Sequence, residues 1–238
     1  MNLFYQPGIP DGVLHLDGDE SKHCVRVLRK RSGDAIGITD GKGFFYDAII
    51  TKADAGQCLF EIRQKQQAPE KDYFIHIAIS PTKNADRIEW FVEKATELGV
   101  DRISLMDCKN TERSFIKTER LQKVAISAMK QSVKAIVPSI EDHLLQFTEV
   151  VEQCREQERC IAFVDAGNPL HLRDAVKAKR SYCVLIGPEG DFSTDELTTA
   201  TEYGFRQVSL GPSRLRTETA GLAACHVLNL VNYVSGEW

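Results

Sequence analysis

From Tyr73 onward, short runs of apolar and β-branched residues alternate with stretches of helical periodicity. No other feature of the chain constrains its fold as much. "YFIHIAIS" reads as a strand, and "DRIEWFVEKATELG" as a helix with Ile88, Phe91, Ala95 and Leu98 on one face and Gly99 closing it. Strand "RISLM", helix "KTERLQKVAISAMKQSVK", strand "CIAFVDA", a helix after Pro169 and strand "YCVLIG" follow. Strands separated by helices pair in parallel, because a parallel connection must cross back over the sheet. The pattern predicts an α/β domain over residues 73–238, with a mostly parallel sheet and helices on both faces. Residues 1–70 read differently. "DAIGITDGKGFFYDAIITKA" alternates β-prone runs with glycine turns, "DGKG" reads as a hairpin turn, and "CLFEIRQK" is another strand. This is a small β-rich unit, with the polar stretch 66–72 as linker.

Within the α/β part, "CVLIGPEGDFSTDEL" (183–197) raises a question of function. An apolar run of the kind buried on both faces ends at Gly187. Ser193 followed by Glu196 is a capping box, so a helix starts near Thr194, with Gly204 at its C′ position. "RQVSL" is the next strand. Gly187 and Gly190 therefore stand at the carboxyl end of a parallel strand, where open α/β sheets place ligands. A tight turn that holds nothing is the other reading of this loop taken alone. A second loop, "GPSRLRTETA", ends the next strand at Gly211. Thr217 reads as an N-cap with Glu218 on the helix dipole, and the helix beyond it is apolar nearly all round. Capping gives no reason for Arg216. Two such loops can face each other across one pocket.

Several ligand classes lose support. GxGxxG and the P-loop pattern are both absent, and "SPTKNAD", the first βα turn, has no glycine. Glu189 would stand where a pyrophosphate must sit. An acidic loop suits a cation or a neutral hydroxylated group better. The seven cysteines are scattered without a CxxC, so they are expected to be reduced and mainly buried, with no metal site. No stretch has the length of a membrane span, and the N-terminus shows no signal peptide, so a cytoplasmic location is expected.

The formal net charge of −4 argues mildly against nucleic acid, but local charge does not. Residues 20–31 hold Lys22, Arg26, Arg29, Lys30 and Arg31 against Glu20 alone. Residues 109–134 hold seven cations against Glu112 and Glu119. Concentrated positive charge is the footprint of phosphate binding. A solvated helix face would account for either segment separately.

"GPEGDFS..EL" followed by "LG…LRTETA", with "KATELGV", "QS…P.I" and the N-terminal "HCVRVLRKRSGDAI", resembles the bacterial ribosomal RNA small-subunit methyltransferase E family over nearly the whole chain. The resemblance implies a SPOUT-type fold with a C-terminal trefoil knot, a PUA-like RNA-binding domain over 1–70, and a homodimer. It implies transfer of a methyl group from S-adenosylmethionine to N3 of a uridine in 16S rRNA, within the small ribosomal subunit, with no metal and no membrane. Another RNA target, or a non-catalytic RNA-binding assembly factor, are the alternatives. The cofactor would rest on Leu185, Ile186, Gly187, Pro188, Glu189, Gly190, Leu210, Gly211 and Leu215, with Thr82, Thr219 and Ala220 around it. Arg216 is the leading catalytic candidate, followed by Lys83 and Glu218. Arg26, Arg29, Arg87, Arg113, Gln131, Ser132 and Lys134 would face RNA. The chain departs from the family pattern at Asp191, usually a second glycine, at Ser213 and Arg214, often arginine then isoleucine, and at Lys134, usually arginine.

Overall fold

The computed structural model describes residues 3–112, 116–163, 167 and 170–233. The chain divides into two compact units, one of Met1–Glu70 with Ile126–Val137, the other of Lys71–Ala125 with Pro138–Trp238.

The first unit is built on a four-stranded sheet of β1 (Leu3–Tyr5), β2 (Ala35–Thr39), β3 (Phe44–Lys52) and β4 (Leu59–Gln67), in that order. β1 and β2 are parallel, and the remaining pairs are antiparallel. The "DGKG" turn joins β2 to β3 as the sequence predicts. Asp40 accepts from the Lys42 and Phe44 main-chain N–H groups at 2.8 and 3.2 Å, and Gly41 and Gly43 take positive φ there. Phe4, Leu16, Ile38, Ile50 and Phe60 form the core. Helix α1 (Gly18–Lys22) is capped by Asp17, and its last turn runs into a π-turn over His23–Val27.

The sequence places residues 126–137 in the α/β part, but they pack in the first unit. Gly43 N donates to Ala135 O at 2.9 Å, Val137 N donates to Gly41 O at 3.0 Å, and Lys130 pairs with Glu20. Main-chain groups of the hairpin turn are satisfied by a segment some ninety residues away, and local periodicity carries no record of that.

The second unit holds one sheet that is parallel throughout. Its strands are β5 (Phe74–Ile79), β6 (Arg102–Asp107), β7 (Ser139–Ile140), β8 (Leu145–Gln146), β9 (Glu158–Ala162), β10 (Ser181–Ile186) and β11 (Arg206–Val208). The order is β11-β9-β10-β5-β6-β7, with β8 also on β6, and every pair is parallel. Alternate side chains of each strand go to opposite faces. Ala78, Ile161, Cys183 and Leu185 pack with α4 (Phe147–Gln153) and α6 (Thr194–Glu202) through Phe147, Val150 and Ala200. Their neighbours in sequence point the other way, toward α2 (Ala85–Leu98) and α7 (Thr217–Asn232). Both faces are covered, which is why these strands read as largely apolar runs, with His76 on β5 and Ser104 on β6 as buried polar exceptions. α3 (Thr118–Gln131) and the short α5 (Leu172–Ala175) complete the α-helices among the described residues.

The local signals hold in detail. Gly99 closes α2 with φ +87°, Ser193 and Glu196 form the capping box of α6, and Gly204 follows α6 with φ +81°. α2 buries Ile88, Phe91 and Ala95, while Leu98 is only half-buried.

Candidate cofactor cavity and RNA-facing residues

β10 ends at Ile186 and the chain turns through Gly187–Asp191 before α6 begins. β11 ends at Val208, and the loop through Gly211 (φ +120°) leads to α7. Thr217 is not the N-cap of α7, as its sequence context suggests. Arg216 holds that position, with extended backbone and no side-chain capping bond. The Thr217 hydroxyl donates instead to Gly187 O at 3.1 Å, and so ties the second loop to the first. A contact across thirty residues has overridden the local capping preference.

A cavity of ≈520 Å³ opens where these loops meet. Ile186, Gly187, Pro188, Glu189, Leu215, Arg216 and Ala220, all picked out from the sequence, line it. Ala162, Asp191, Arg214 and Thr217 line it as well, and the sequence-based cofactor set lacks them. Ala162 ends β9, and its register partner on β10 is Ile186. Only the strand order shows that these two strand ends adjoin. The remaining members of the predicted set stand outside the lining. Leu185 is fully buried in the sheet, Thr82 is buried with its hydroxyl on Asn84 O at 2.7 Å, and Leu210 and Gly211 are half-buried. Gly190 is exposed against Asn110, and Thr219 is on the exposed side of the first turn of α7.

The cavity mixes charges of both signs on an apolar base. Glu189 and Asp191 come from the first loop, and Arg214 and Arg216 from the second. The Lys83 main-chain N–H donates to Glu189 Oε1 at 3.3 Å, which fixes that carboxylate to the first βα turn. Asn110 donates to Gly190 O and Asp191 O at 3.2 and 3.0 Å and braces the loop from the other side. The size suits a small ligand, and the exposed main chain of the loops supplies directional polar groups.

The other catalytic candidates stand apart from this lining. The Lys83 ammonium is exposed and pairs with Glu112 at 2.9 Å, a bond that raises its pKa. Glu218 is buried at the start of α7 and lies 3.8 Å from Arg87 Nε through Oε1. Its Oε2 is buried with no hydrogen-bond partner among the described residues. Of the predicted RNA-facing set, Arg26, Arg29, Gln131, Ser132 and Lys134 all belong to the first unit, two segments distant in sequence but assembled in one body. Arg26, Arg29 and Gln131 are exposed, and Arg29 takes φ +55°. Arg87 belongs to the second unit, and Arg113 lies outside the described residues.

A buried polar cluster lies elsewhere in the second unit. His76 on β5 and Cys183 on β10 are register partners, and Glu156 meets them, with ligand atoms within 4.8 Å of one another. Sequence spacing gave no sign of this set. Protein hydrogen bonds engage it: His76 Nδ1 to Glu156 at 2.7 Å, His76 Nε2 to Ser104 at 2.8 Å, and the Cys154 thiol to Glu156 at 3.1 Å. Burial would raise the Glu156 carboxyl, but the bonds from His76 and Cys154 more than offset it and hold it at about 2. All seven cysteines are free and buried, as expected. Among the described residues, no helix is long and apolar enough to cross a membrane.

A family model described as an RNA methyltransferase domain matches residues 69–229, and one described as an RNA methyltransferase PUA domain matches residues 16–63. The solved structure described as a probable rRNA-methyltransferase from Porphyromonas gingivalis is 41% identical with a TM-score of 0.91, covering 98% of each chain. The ribosomal RNA small subunit methyltransferase E of Neisseria gonorrhoeae, solved bound to S-adenosyl methionine, is 27% identical with a TM-score of 0.86, again over 98% of each chain. The enzyme of that name from Aquifex aeolicus is 29% identical over 96% of this chain and 99% of its own. The chain belongs to the ribosomal RNA small subunit methyltransferase E family of RNA methyltransferases.

Proposed function

We propose that this protein transfers the methyl group of S-adenosylmethionine to N3 of one uridine in 16S rRNA. The observation that carries the reading is the cavity itself. Two strand–glycine–helix loops, tied by the Thr217–Gly187 bond, enclose ≈520 Å³ with Arg216 in the lining. The residues fit the cofactor. Ile186, Leu215 and Ala220 offer apolar surface for an adenine ring, the main chain of 186–190 offers donors and acceptors for its edge, and the carboxylates suit a cation.

When bound, S-adenosylmethionine supplies an electrophilic methyl group carried on sulfur. The chain's own task is to make N3 of uracil a nucleophile. N3 carries a proton at neutral pH, and its loss leaves negative charge on the base oxygens. The Arg216 guanidinium stabilises that charge, as donors in an oxyanion hole do. Its extended position just before α7, with no capping bond of its own, leaves the side chain available to the cavity. Glu218, two residues on, is buried outside the lining with its Oε1 3.8 Å from Arg87 Nε, and in this reading it serves the start of α7 rather than taking the proton.

Residues 1–70 act in this reading as a PUA-like grip on the RNA, with Arg26, Arg29, Gln131, Ser132 and Lys134 on phosphates and Arg87 nearer the reacting base, while Arg113, outside the described residues, is kept as an RNA contact from the family resemblance alone. Drawing one base out of the RNA costs a few kcal/mol of stacking, which such contacts offset. A trefoil-knotted path through the C-terminal part of residues 73–238, a homodimer and a cytoplasmic site of action complete the proposal. Exposed Trp90 on α2 and Leu230 on α7 support a further apolar interface. Nucleoside analysis of small-subunit rRNA from a strain lacking the gene tests the reading. Loss of 3-methyluridine, restored by the gene, is expected. Unchanged 3-methyluridine would overturn it and leave another RNA target or a binding role.

A further inference from the structure

We propose that the first unit reads one unpaired guanine of its RNA substrate, in a cavity on the face of its sheet that turns away from the core. The inference rests on the RNA reading above and adds a base preference to it. β2 and β3 pair Ala35 with Ile49 and Gly37 with Asp47, so these four positions share one face. Ile36, Ile38, Tyr46 and Ala48 point the other way, into the core. The small residues of β2 leave the outer face hollow, and a cavity of ≈490 Å³ lies there, lined also by Lys30 and Arg63. Its size suits a single nucleotide, and every lining residue falls within the stretch 16–63 that the PUA-domain model matches.

The two cations are anchored within the unit. Lys30 Nζ donates to Ala35 O at 3.2 Å, and the Arg63 guanidinium pairs with Glu61 at 3.2 Å. Arg63 is the extra residue of a β-bulge, since Gln64 pairs with Asp47 and Ile62 with Ala48. Bulges re-aim side chains in this way. Asp47 is exposed, and among the described residues its carboxylate has neither a hydrogen bond nor an ion pair. An ionised carboxylate only accepts. Of the four RNA bases, guanine alone presents two adjacent donors, N1–H and the N2 amino group, to match its two oxygens. The amino groups of adenine and cytosine stand beside an acceptor, and the single N–H of uracil stands between two carbonyls. Asp47 repels phosphate, which leaves the cavity to the base, with Ile49 against its ring, and the backbone to Lys30 and Arg63.

The test is fluorescence anisotropy of four labelled RNAs, UUUGUUU, UUUAUUU, UUUCUUU and UUUUUUU, with the full-length wild-type protein, Asp47→Asn, and the double variant Lys30→Gln with Arg63→Gln. The wild type should hold UUUGUUU about tenfold tighter than the others, equivalent to about 1.4 kcal/mol. Asp47→Asn keeps the shape and removes the charge, so the four affinities should then agree within about twofold. Asp47 is exposed, and a melting temperature within about 2 °C of wild type is the folding control. The double variant should weaken all four RNAs alike and flatten their salt dependence, with the guanine preference intact. Equal affinities in the wild type, a guanine preference that survives Asp47→Asn, or an unaltered salt slope in the double variant would overturn the proposal and leave the RNA reading in place. A wild-type protein that binds none of the four RNAs would overturn the RNA reading itself, and the proposal with it.

Discussion

Gly221→Ala is a test of how α7 is seated. In an ordinary helix interior this change stabilises by about 1 kcal/mol, because glycine has more backbone freedom to lose. Here a Cβ would lie 2.7 Å from Phe91 Cε2 and 2.9 Å from Ile79 Cδ1. Both partners are fully buried, Phe91 on α2 and Ile79 at the end of β5, so neither can swing aside. Overpacking of this kind costs about 1–3 kcal/mol, and two contacts this short place it at the upper end. The net expectation is a loss of about 1–2 kcal/mol, or a melting temperature lower by roughly 3–6 °C. The helix would relieve the clash by moving off α2 and β5, and its first turn carries Thr217 and Ala220. S-adenosylmethionine affinity should therefore fall several-fold as the Thr217–Gly187 bond is disturbed. Calorimetric melting with parallel ligand titration reads both effects. A melting temperature raised by 2–4 °C, the outcome for an unencumbered helical glycine, would refute the packing argument.

Three further outcomes follow from the same geometry. Arg216→Ala should lower single-turnover methylation by about a hundredfold or more while S-adenosylmethionine affinity stays within about threefold; equal losses would make Arg216 a cofactor residue. Reversing charge at Arg26 and Arg29 should weaken RNA binding and flatten its salt dependence, and an unaltered slope would place both residues off the RNA. The Glu156 carboxyl is depressed in the folded protein, so its contribution is complete above its ordinary value of 4.5 and is lost as pH falls toward about 2. Glu156→Gln should cost roughly 2–3 kcal/mol in urea unfolding at pH 7, and the difference from wild type should shrink below pH 4.5; a pH-independent difference would contradict this.

Where structure follows from near neighbours, the sequence was legible. The apolar run 184–186, the Ser193–Glu196 capping box and Gly204 each act within a few residues, and β10, α6 and its end lie where they indicate. Gly187–Glu189 and Leu215–Arg216 could be singled out because strand ends followed by glycine have a restricted meaning in parallel sheets. What stayed hidden depends on pairing across long separations. Ala162 enters the cavity only because β9 lies beside β10. Thr217 looks like a cap until Gly187 O, thirty residues upstream, is found to take its hydroxyl. Residues 126–137 read as the end of an α/β helix, yet Ala135 and Val137 bond to the glycine turn of the first unit. His76 and Glu156, eighty residues apart, carry no shared pattern at all.

A crystal structure determined with S-adenosylmethionine bears most directly on the central claim. The ligand is predicted to lie in the ≈520 Å³ cavity, between the 186–191 loop and the 214–220 segment, with Arg216 in the lining. Density for the ligand at any other place, or a cavity left empty at saturating ligand, would contradict the account.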